Sequence, residues 1–308
     1  MYQLIDSRIM TPFDVHHRTV SIEDSEAESL SVFYREAGDP DAPTILLLHG
    51  FPSSSHMFRD LIPTLADDFH LVAPDYPGFG HSDAPPPDAF TYSFDRIADV
   101  VERFTDAVDL SSYSLYMMDY GGPVGFRLAR RHPERVEALL VQNANAYEDG
   151  VTDLFRETIG PLWSERTSAD EKPVLDLFTL ESTRFQYTEG ARDPEAMTPD
   201  AWTHDQFGLD REGNKLIQLE LQADYGTNLD RYPEWQAYLR EHQPPTLVVW
   251  GTGDPLFGPD GARAYEQDLD TVEVHLLDTG HFALEEDGDV IARHIRQFLG
   301  EHLPKPNA

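Results

Sequence analysis

Short apolar runs alternate with amphipathic segments along most of the chain. A run such as TILLLH is almost continuously apolar and ends at a glycine, as expected of a strand that is buried on both faces. Residues 94–108 instead repeat apolar side chains at helical spacing. Strands are predicted at residues 44–49, 70–75, 115–118, 136–143, 245–251 and 271–277, after two strand-like runs between residues 18 and 37. This alternation predicts an α/β fold with a mostly parallel central sheet flanked by helices.

The rhythm of strands and helices stops between the sixth and seventh predicted strands. From about residue 145 to residue 233 there is no clear strand, and helical patches alternate with proline, glycine and acidic turns. We interpret residues 146–233 as a mostly helical cap that is inserted after the sixth strand. Residues 1–145 and 234–308 then form the core domain.

The chain is strongly acidic. It has 56 Asp and Glu residues against 23 Lys and Arg residues, which gives a formal charge of −33. So negative a field repels nucleic acid and acidic membranes, and we expect neither as a partner. An acidic surface that excludes or binds charged ligands is one explanation. Because the acids are scattered along the whole chain, we prefer adaptation to molar salt, which screens such self-repulsion.

Several classes of protein are excluded by what the sequence lacks. The chain has no cysteine, so disulfides and thiolate chemistry are ruled out. No apolar run approaches the roughly 18 residues that span a bilayer. The first residues lack the basic segment and apolar segment of a secretory signal. We therefore expect a cytoplasmic protein of a high-salt-adapted organism, with self-association into a homo-oligomer left open.

Candidate catalytic residues follow three of the predicted strands. Asp119 stands between a buried strand and a Gly-Gly pair that opens a helix, and Asp254 and His281 follow later strands. Reactive groups collect at the carboxyl ends of strands in an open parallel sheet. The order nucleophile, acid, histidine is that of α/β-hydrolases. By the same pattern, the backbone N–H groups of Phe51 and Tyr120 would form an oxyanion hole.

Together these motifs resemble the α/β-hydrolase superfamily, and within it the branch of haloalkane dehalogenases and epoxide hydrolases. The matching segments are HGFP at 49–52, DYPGFGHSD at 75–83, DYGG at 119–122, GDP at 253–255 and GHF at 280–282. The resemblance covers nearly the whole chain and implies the α/β-hydrolase fold, with neither a cofactor nor a metal. One departure is Met117, which stands two residues before the nucleophile where the pattern has glycine.

Each candidate also has a purely structural interpretation. Asp119 is a favoured type of helix N-cap, and Asp254 could begin a Gly-Asp-Pro turn. His281 could be a turn histidine. Glu148 is a rival for the orienting acid, because some members of this branch carry the acid after the sixth strand. Ser82 is rejected as a nucleophile because it has loop residues on both sides instead of a strand and a helix.

An aspartate nucleophile indicates attack on saturated carbon. Aspartate is already ionised at neutral pH, with a reference pKa of about 3.9, so it needs no base for the first step. Displacement of a leaving group by Asp119 would give an ester, whose carbonyl can be attacked by water that His281 has deprotonated. A serine in the same place would form an ether, which water does not readily hydrolyse.

The leaving group is less clear from the sequence. An epoxide opens as an alkoxide and needs a proton donor, and the resemblance to epoxide hydrolases assigns this role to Tyr225 in ADYGTN. Their second tyrosine slot holds Glu181, with Tyr187 nearby. Haloalkane dehalogenases typically place Trp where this chain has Tyr120, although Tyr120 could donate to a halide. The sequence leaves the two reactions almost equally supported.

Aromatic residues of the predicted cap are candidates for the walls of a substrate pocket. They are Trp163, Phe178, Phe185, Trp202 and Phe207. Related dehalogenases that act on halo-acids place Arg after the nucleophile, where Tyr120 stands here, so we expect a small, neutral, apolar substrate. Two other functions remain open: a carboxylesterase, and a non-catalytic binding protein on this fold.

Overall fold

An eight-stranded sheet forms the centre of the computed structural model, which describes residues 14–164 and 166–303. Its strands are β1 (His16–Asp24), β2 (Glu28–Ala37), β3 (Thr44–Leu48), β4 (His70–Pro74), β5 (Tyr113–Met118), β6 (Val136–Gln142), β7 (Thr246–Gly251) and β8 (Val272–Leu277). The spatial order is β1-β2-β4-β3-β5-β6-β7-β8. The pairs β1/β2 and β2/β4 are antiparallel, and all later pairs are parallel. The predicted fold class is confirmed.

Helices cover both faces of this sheet. They are α1 (Leu61–Leu65), α2 (Phe94–Ala107), α3 (Gly121–Arg131), α4 (Asp153–Ile159), α5 (Ser168–Asp176), α6 (Leu180–Thr188), α7 (Pro199–Leu209), α8 (Asn214–Asp224), α9 (Gly226–His242), α10 (Asp260–Ala264) and α11 (Ala283–His302). Alternate residues of β5 contribute to two apolar clusters, with Leu115 in the cluster that contains α2 and α3 and Tyr116 in the one that contains α1 and α11. This alternation is the period-2 pattern of a sheet that is buried on both faces.

Six helices, α4 to α9, lie between β6 and β7, in the region predicted as a helical insertion. The suggested end of the cap at residue 233 falls inside α9, which is continuous from Gly226 to His242. The division of the chain into core and cap stays a prediction. Within the described residues, no helix is both long and apolar enough to cross a membrane.

Candidate active site

Asp119 occupies a sharp turn between β5 and α3. Its φ of 49° lies in the left-handed region, which aspartate tolerates better than most residues. Two glycines allow neighbouring backbone segments to come close to this turn. A Cβ on Gly121 would lie 2.2 Å from the backbone oxygen of Leu48, and a Cβ on Gly50 would lie 2.4 Å from the Cβ of Asp119. This is the geometry by which α/β-hydrolases present a nucleophile above the sheet.

Met117, the departure from the glycine pattern, is accommodated by a glycine elsewhere. Its side chain is fully buried and lies over α3 at Gly125. A Cβ on Gly125 would lie only 2.3 Å from the sulfur of Met117. The absent Cβ of Gly125, on α3, thus leaves room for the Met117 side chain. The turn at Asp119 keeps its shape although Met117 replaces the usual glycine.

The carboxylate of Asp119 is buried and bound by the backbone. Phe51 N–H donates to its Oδ1 at 2.6 Å. A backbone hydrogen bond from Tyr120 N–H also favours the ionised form of the carboxylate. Burial raises the pKa of Asp119 to about 6, against the opposing effects of the His281 charge and of these two N–H groups. Asp119 is therefore largely ionised at neutral pH and poorly hydrated, as a nucleophile requires.

Asp254 and His281 meet at the same edge of the sheet. The Nδ1 of His281 lies 2.7 Å from Oδ2 of Asp254, and both side chains are buried. The other oxygen of Asp254 accepts from the N–H groups of Leu256 at 2.8 Å and Phe257 at 3.0 Å. The Nε2 of His281 is buried and has no hydrogen-bond partner within the described part of the chain. This nitrogen is consequently available to a water molecule.

The charge around His281 favours its protonated form. Burial by itself would lower the pKa of His281. The charge and hydrogen bond of Asp254, and then the charge of Asp119, outweigh burial and raise the pKa. Asp119 therefore stabilises a proton on His281 only as long as Asp119 itself is ionised.

Asn143 is a site residue that the sequence interpretation missed. Its Nδ2 donates to Oδ2 of Asp254 at 2.7 Å, and its Oδ1 accepts from Gly251 N–H at 3.1 Å. It follows β6 directly with a positive φ of 42°, so a polar residue at the carboxyl end of a buried strand was the available signal. The rival acid, Glu148, lies in an exposed turn with its carboxylate 3.3 Å from Arg156. Asp254, and not Glu148, contacts His281.

Glycines bring a loop of the predicted cap against the two loops that carry Asp254 and His281. Gly190 follows α6 with a φ of 73°, and a Cβ there would lie 1.8 Å from the backbone oxygen of Gly253. A Cβ on Gly280 would lie 2.7 Å from the backbone oxygen of Glu189. Gly253 and Gly280 immediately precede Asp254 and His281, so backbone packs on backbone beside the acid and the base.

A cavity of about 300 Å³ opens above Asp119. Phe51 and Tyr120 lie beside the nucleophile, and most of the remaining wall comes from α4, α6 and α8. The lining residues are Phe51, Asp119, Tyr120, Leu154, Phe155, Thr158, Ile159, Leu177, Glu181, Ser182, Phe185, Gln186, Gln222 and Leu256. The wall is thus mainly apolar, with a few polar groups.

The aromatic residues suggested for this pocket have different positions. Phe185 lines the cavity and is 41% exposed. Trp163, Phe178 and Trp202 are not among the lining side chains. The indole of Trp163 donates to the backbone oxygen of Gln222 at 3.2 Å, Phe178 packs 5.7 Å from the ring of Phe51, and Trp202 packs against Tyr187. Trp163 and Phe178 thus pack against lining residues from outside the cavity, whereas Trp202 lies away from it, and Phe207 lines a separate cavity.

Sequence reasoning did not single out two buried amides of this wall. Gln186 on α6 and Gln222 on α8 are both more than nine-tenths buried, and Oε1 of Gln222 has no partner among the described residues. An amide within a helical pattern carries no sequence signal of its own. Glu181, which occupies the tyrosine slot of epoxide hydrolases, also lines the cavity but is exposed.

Two of the three suggested phenolic donors lie near the nucleophile. The hydroxyl of Tyr120 is buried without a partner in the described residues, and the ring of Tyr225 lies 6.0 Å from that of Tyr120. Burial, the neighbouring Tyr232 and the charge of Asp119 raise the pKa of Tyr225 well above its usual value. Its hydroxyl therefore stays protonated.

Tyr187 is bound elsewhere. Its hydroxyl donates to Oδ2 of Asp205 at 2.5 Å, and its ring stacks on Phe282 with centroids 3.8 Å apart. It is not among the residues that line the cavity, so it has no contact with a leaving group there. Ser82 has a structural contact too, because its hydroxyl donates to the backbone oxygen of Asp75 at 2.7 Å.

The parallel sheet, the turn at Asp119 and the Asp254–His281 pair define the class of protein. The family model for the alpha/beta hydrolase fold matches residues 43–288. The chain belongs to the α/β-hydrolase family, and its relatives include haloalkane dehalogenases.

Three relatives illustrate this position in the family. An uncharacterised hydrolase of Saccharomyces cerevisiae, YNR064C, is 42% identical over 89% of this chain and 95% of its own length. A haloalkane dehalogenase of Mycolicibacterium paratuberculosis is 30% identical over 92% of each chain. The solved structure of the epoxide hydrolase CorEH superposes with a TM-score of 0.74 and 21% identity, covering 94% of this chain and 99% of that one. The last similarity concerns the fold alone.

Proposed function

We propose that this protein is a hydrolase that opens epoxides through a covalent ester on Asp119. The observation that carries the proposal is the buried Asp119 carboxylate, which accepts a hydrogen bond from Phe51 N–H, in the same site as the paired Asp254 and His281. A carboxylate in this position attacks carbon directly. Asp254 and His281 then supply the base for hydrolysis of the ester on Asp119.

In the first step, an oxygen of Asp119 attacks a ring carbon of the epoxide from the side opposite the ring oxygen. The C–O bond of the ring breaks, and its electron pair leaves as an alkoxide. The mainly apolar wall around Phe51 and Phe155 holds the substrate and keeps water away from the carboxylate. The product of this step is a hydroxyalkyl ester of Asp119.

A phenol supplies the proton that the alkoxide requires. Tyr120, which lines the cavity, and Tyr225, which is not a lining residue but has its ring 6.0 Å from that of Tyr120, are the candidate donors. Among the described residues, neither hydroxyl is bound to a carboxylate. Tyr225 on the cap side matches the position of a donor in epoxide hydrolases. Its raised pKa keeps it protonated until a base as strong as an alkoxide forms beside it.

Ester formation prepares His281 for the second step. The ester of Asp119 is neutral, so one of the charges that raises the pKa of His281 disappears. The neutral imidazole accepts a proton from water, and the hydroxide attacks the ester carbonyl. The N–H groups of Phe51 and Tyr120 stabilise the oxyanion, a contribution of about 3 kcal/mol per donor in comparable sites. Collapse of this intermediate breaks the ester C–O bond, and protonated His281 gives its proton to the leaving alkoxide, which completes the diol. The acid proton that remains on Asp119 passes to the phenolate, so both the carboxylate and the phenol are regenerated.

Dehalogenation of haloalkanes is a second candidate, and the similarity to the M. paratuberculosis haloalkane dehalogenase favours it. Halide leaves as a weak base and needs only polar hydrogens nearby. The indole N–H of Trp163 is already bound to a backbone oxygen, so it offers no such hydrogen. The unpartnered hydroxyl of Tyr120 would have to bind the halide, which is why we place this reaction second.

A paired assay in high salt tests both candidates. Styrene oxide is followed by diol formation and bromobutane by halide release, each with the wild-type protein, Asp119→Ala and the control Asp149→Ala in an exposed turn. We expect diol formation that is abolished by Asp119→Ala and unaffected by Asp149→Ala. Halide release alone would favour the second candidate, and turnover that survives Asp119→Ala would exclude both.

A further inference from the structure

A second cavity, of about 210 Å³, lies next to the candidate active site. Phe51 lines the first cavity, and the residues that follow it, Pro52 to Ser54, line the second. The opposite wall comes from α7 and the turn after it. Its lining includes His81, His204, Asp205, Phe207 and Arg211. None of these residues takes part in the proposed reaction.

Basic side chains are concentrated around this second cavity. The rings of His56 and His204 lie 4.0 Å apart, and those of His81 and His204 lie 6.2 Å apart. Burial, followed by nearby histidine and arginine charges, lowers the pKa of His56 to about 3 and lowers that of His204, so both rings are mainly uncharged at neutral pH and can offer N–H groups. The positive charge therefore comes from Arg211 in the wall and from Arg35 nearby. In a chain with 23 basic and 56 acidic residues, these two arginines make a local site of positive potential.

Arg211 has hydrogen-bonding capacity that the described residues do not use. Its Nη1 donates to the backbone oxygens of Gly80 at 3.1 Å and Ser82 at 3.5 Å. Its Nη2 is buried and has no partner among the described residues. A buried N–H of a guanidinium is costly to leave unpaired. An anion in the cavity would satisfy it, and guanidinium groups bind phosphate and carboxylate well.

The acidic groups nearby neutralise this site only in part. Both oxygens of Asp75 accept from backbone N–H groups, of Ser55 at 2.7 Å and His81 at 2.8 Å, and its negative charge opposes those of Arg35 and Arg211. Burial raises the pKa of Asp205 to about 7, so its carboxyl group is partly protonated at neutral pH. The remaining charged pair around the site is Arg59 with Glu285, at 2.7 Å. Arg35 and Arg211 thus exceed the fixed negative charge.

An aromatic surface adjoins these cations. Phe207 lines the cavity and is 73% exposed, the largest exposure among the large apolar side chains of the described residues. An apolar ring at a cationic site favours a ligand with both an anionic and a flat apolar part. We propose that this cavity binds a small organic anion, with a phosphate or carboxylate group on Arg211 and His204 and an apolar group on Phe207.

Calorimetric titrations with phenyl phosphate, inorganic phosphate and benzoate test the proposal. We expect saturable binding of phenyl phosphate in the millimolar range, several-fold tighter than that of inorganic phosphate. Benzoate separates carboxylate ligands from phosphate ligands. Arg211→Gln should weaken binding about tenfold or more, because a charge-assisted bond is lost. Phe207→Ala should remove most of the advantage of phenyl phosphate over inorganic phosphate.

Matched variants separate this site from nonspecific binding and from the first cavity. Arg263→Gln, at an exposed arginine paired with Asp260, and Phe185→Ala, in the first cavity, should leave the affinity unchanged. His204→Asn gives a second test if Arg211→Gln does not fold, and it should also weaken binding. Absence of saturable binding of any of the three anions, or equal losses in Arg211→Gln and Arg263→Gln, would overturn the proposal.

Discussion

At the scale of single residues, His281 separates the two halves of the proposed reaction. The variant His281→Gln keeps a polar side chain but lacks a base, so Asp119 should form its ester and then fail to hydrolyse it. Intact-protein mass spectrometry after incubation with styrene oxide should show one added substrate mass. His275→Gln, on β8 beside Glu273, is the control and should show no lasting adduct. Continued turnover by His281→Gln would contradict the assigned role.

The orienting acid can be assigned by comparing two conservative variants. Asp254→Asn removes the charge that holds His281, and a loss of roughly 10³- to 10⁴-fold in turnover is expected, as for a triad in which asparagine fixes the wrong tautomer. Glu148→Gln should change turnover less than about twofold, because its carboxylate contacts only Arg156 among the charged groups around it. Steady-state rates decide the assignment, and the reverse order of losses would transfer the role to Glu148.

The pH dependence of ester formation reports on Asp119. The reactive form is the carboxylate, and its pKa is raised to about 6. The single-turnover rate of ester formation should therefore be constant above pH 7 and fall about tenfold per unit well below pH 6. In His281→Gln the inflection should move to higher pH, because the histidine charge that lowers the pKa of Asp119 is gone. An inflection near pH 4 in the wild-type protein would contradict the burial argument.

The residues that could be found from the sequence are those that follow strands. Asp119 is more than a hundred residues from Asp254 and His281, yet parallel strands bring their carboxyl ends to one edge, so the proximity of the three could be predicted. Asn143 also follows a buried strand, but that signal alone does not show that it binds Asp254, and nothing in the local sequence of Gln222 distinguishes a cavity amide from an ordinary polar residue. Their positions depend on packing between distant segments.

At the scale of elements, the turn at Asp119 depends on the pairing of Met117 with Gly125. Gly125→Ala should overpack this contact and lower the free energy of unfolding by about 2 kcal/mol. In a Met117→Ala background the same change should cost less than about 1 kcal/mol, because the sulfur is absent. Urea titrations measure both. Gly300→Ala in α11 meets nothing within 4 Å and should stabilise slightly; equal costs in both backgrounds would exclude the pairing.

The strands were predictable and the helices of the insertion were not. Strands β3 to β8 are short apolar runs in a sheet covered on both faces, and their observed bounds differ from the predicted ones by a residue or two. Helix α8 buries Ile217 and Leu221 on one face and Leu219 on the opposite face, so a single amphipathic stripe is missing. Helix α11 begins at Ala283, but its backbone is non-helical at Asp287. The regular apolar periodicity in the sequence therefore starts only after the beginning of the helix.

At the scale of the whole molecule, the net charge of −33 predicts how stability responds to salt. If the acidic surface is an adaptation to molar salt, raising KCl from 0.1 to 2 M should raise the midpoint of thermal unfolding by about 5 °C or more, since repulsion is screened. Sucrose at equal osmolality is the control for exclusion of solutes and should have a smaller effect. A midpoint that is unchanged or lowered in KCl would refute the adaptation.

The fold class could be inferred from the whole chain, whereas the substrate could not. Sheet order and the positions of catalytic loops follow from patterns that extend over the core. The cavity above Asp119 is instead formed by single side chains of three helices, and sequence reasoning placed Trp163 and Trp202 there although they pack elsewhere. Size and polarity of a pocket depend on side-chain packing, which has no period in the sequence.

The contact between Gly190 and the catalytic loops limits how substrate and product are exchanged. The backbones of Gly190 and Gly253 are in direct contact, with no side chain between them. If the helices above the cavity swung away as a rigid flap, this packing would break and the supports of Asp254 and His281 would move with it. Substrate and product would then be exchanged past Leu154 and Phe185, the exposed large apolar side chains of the cavity wall. These side chains can rotate within nanoseconds while Asp254 and His281 stay in place.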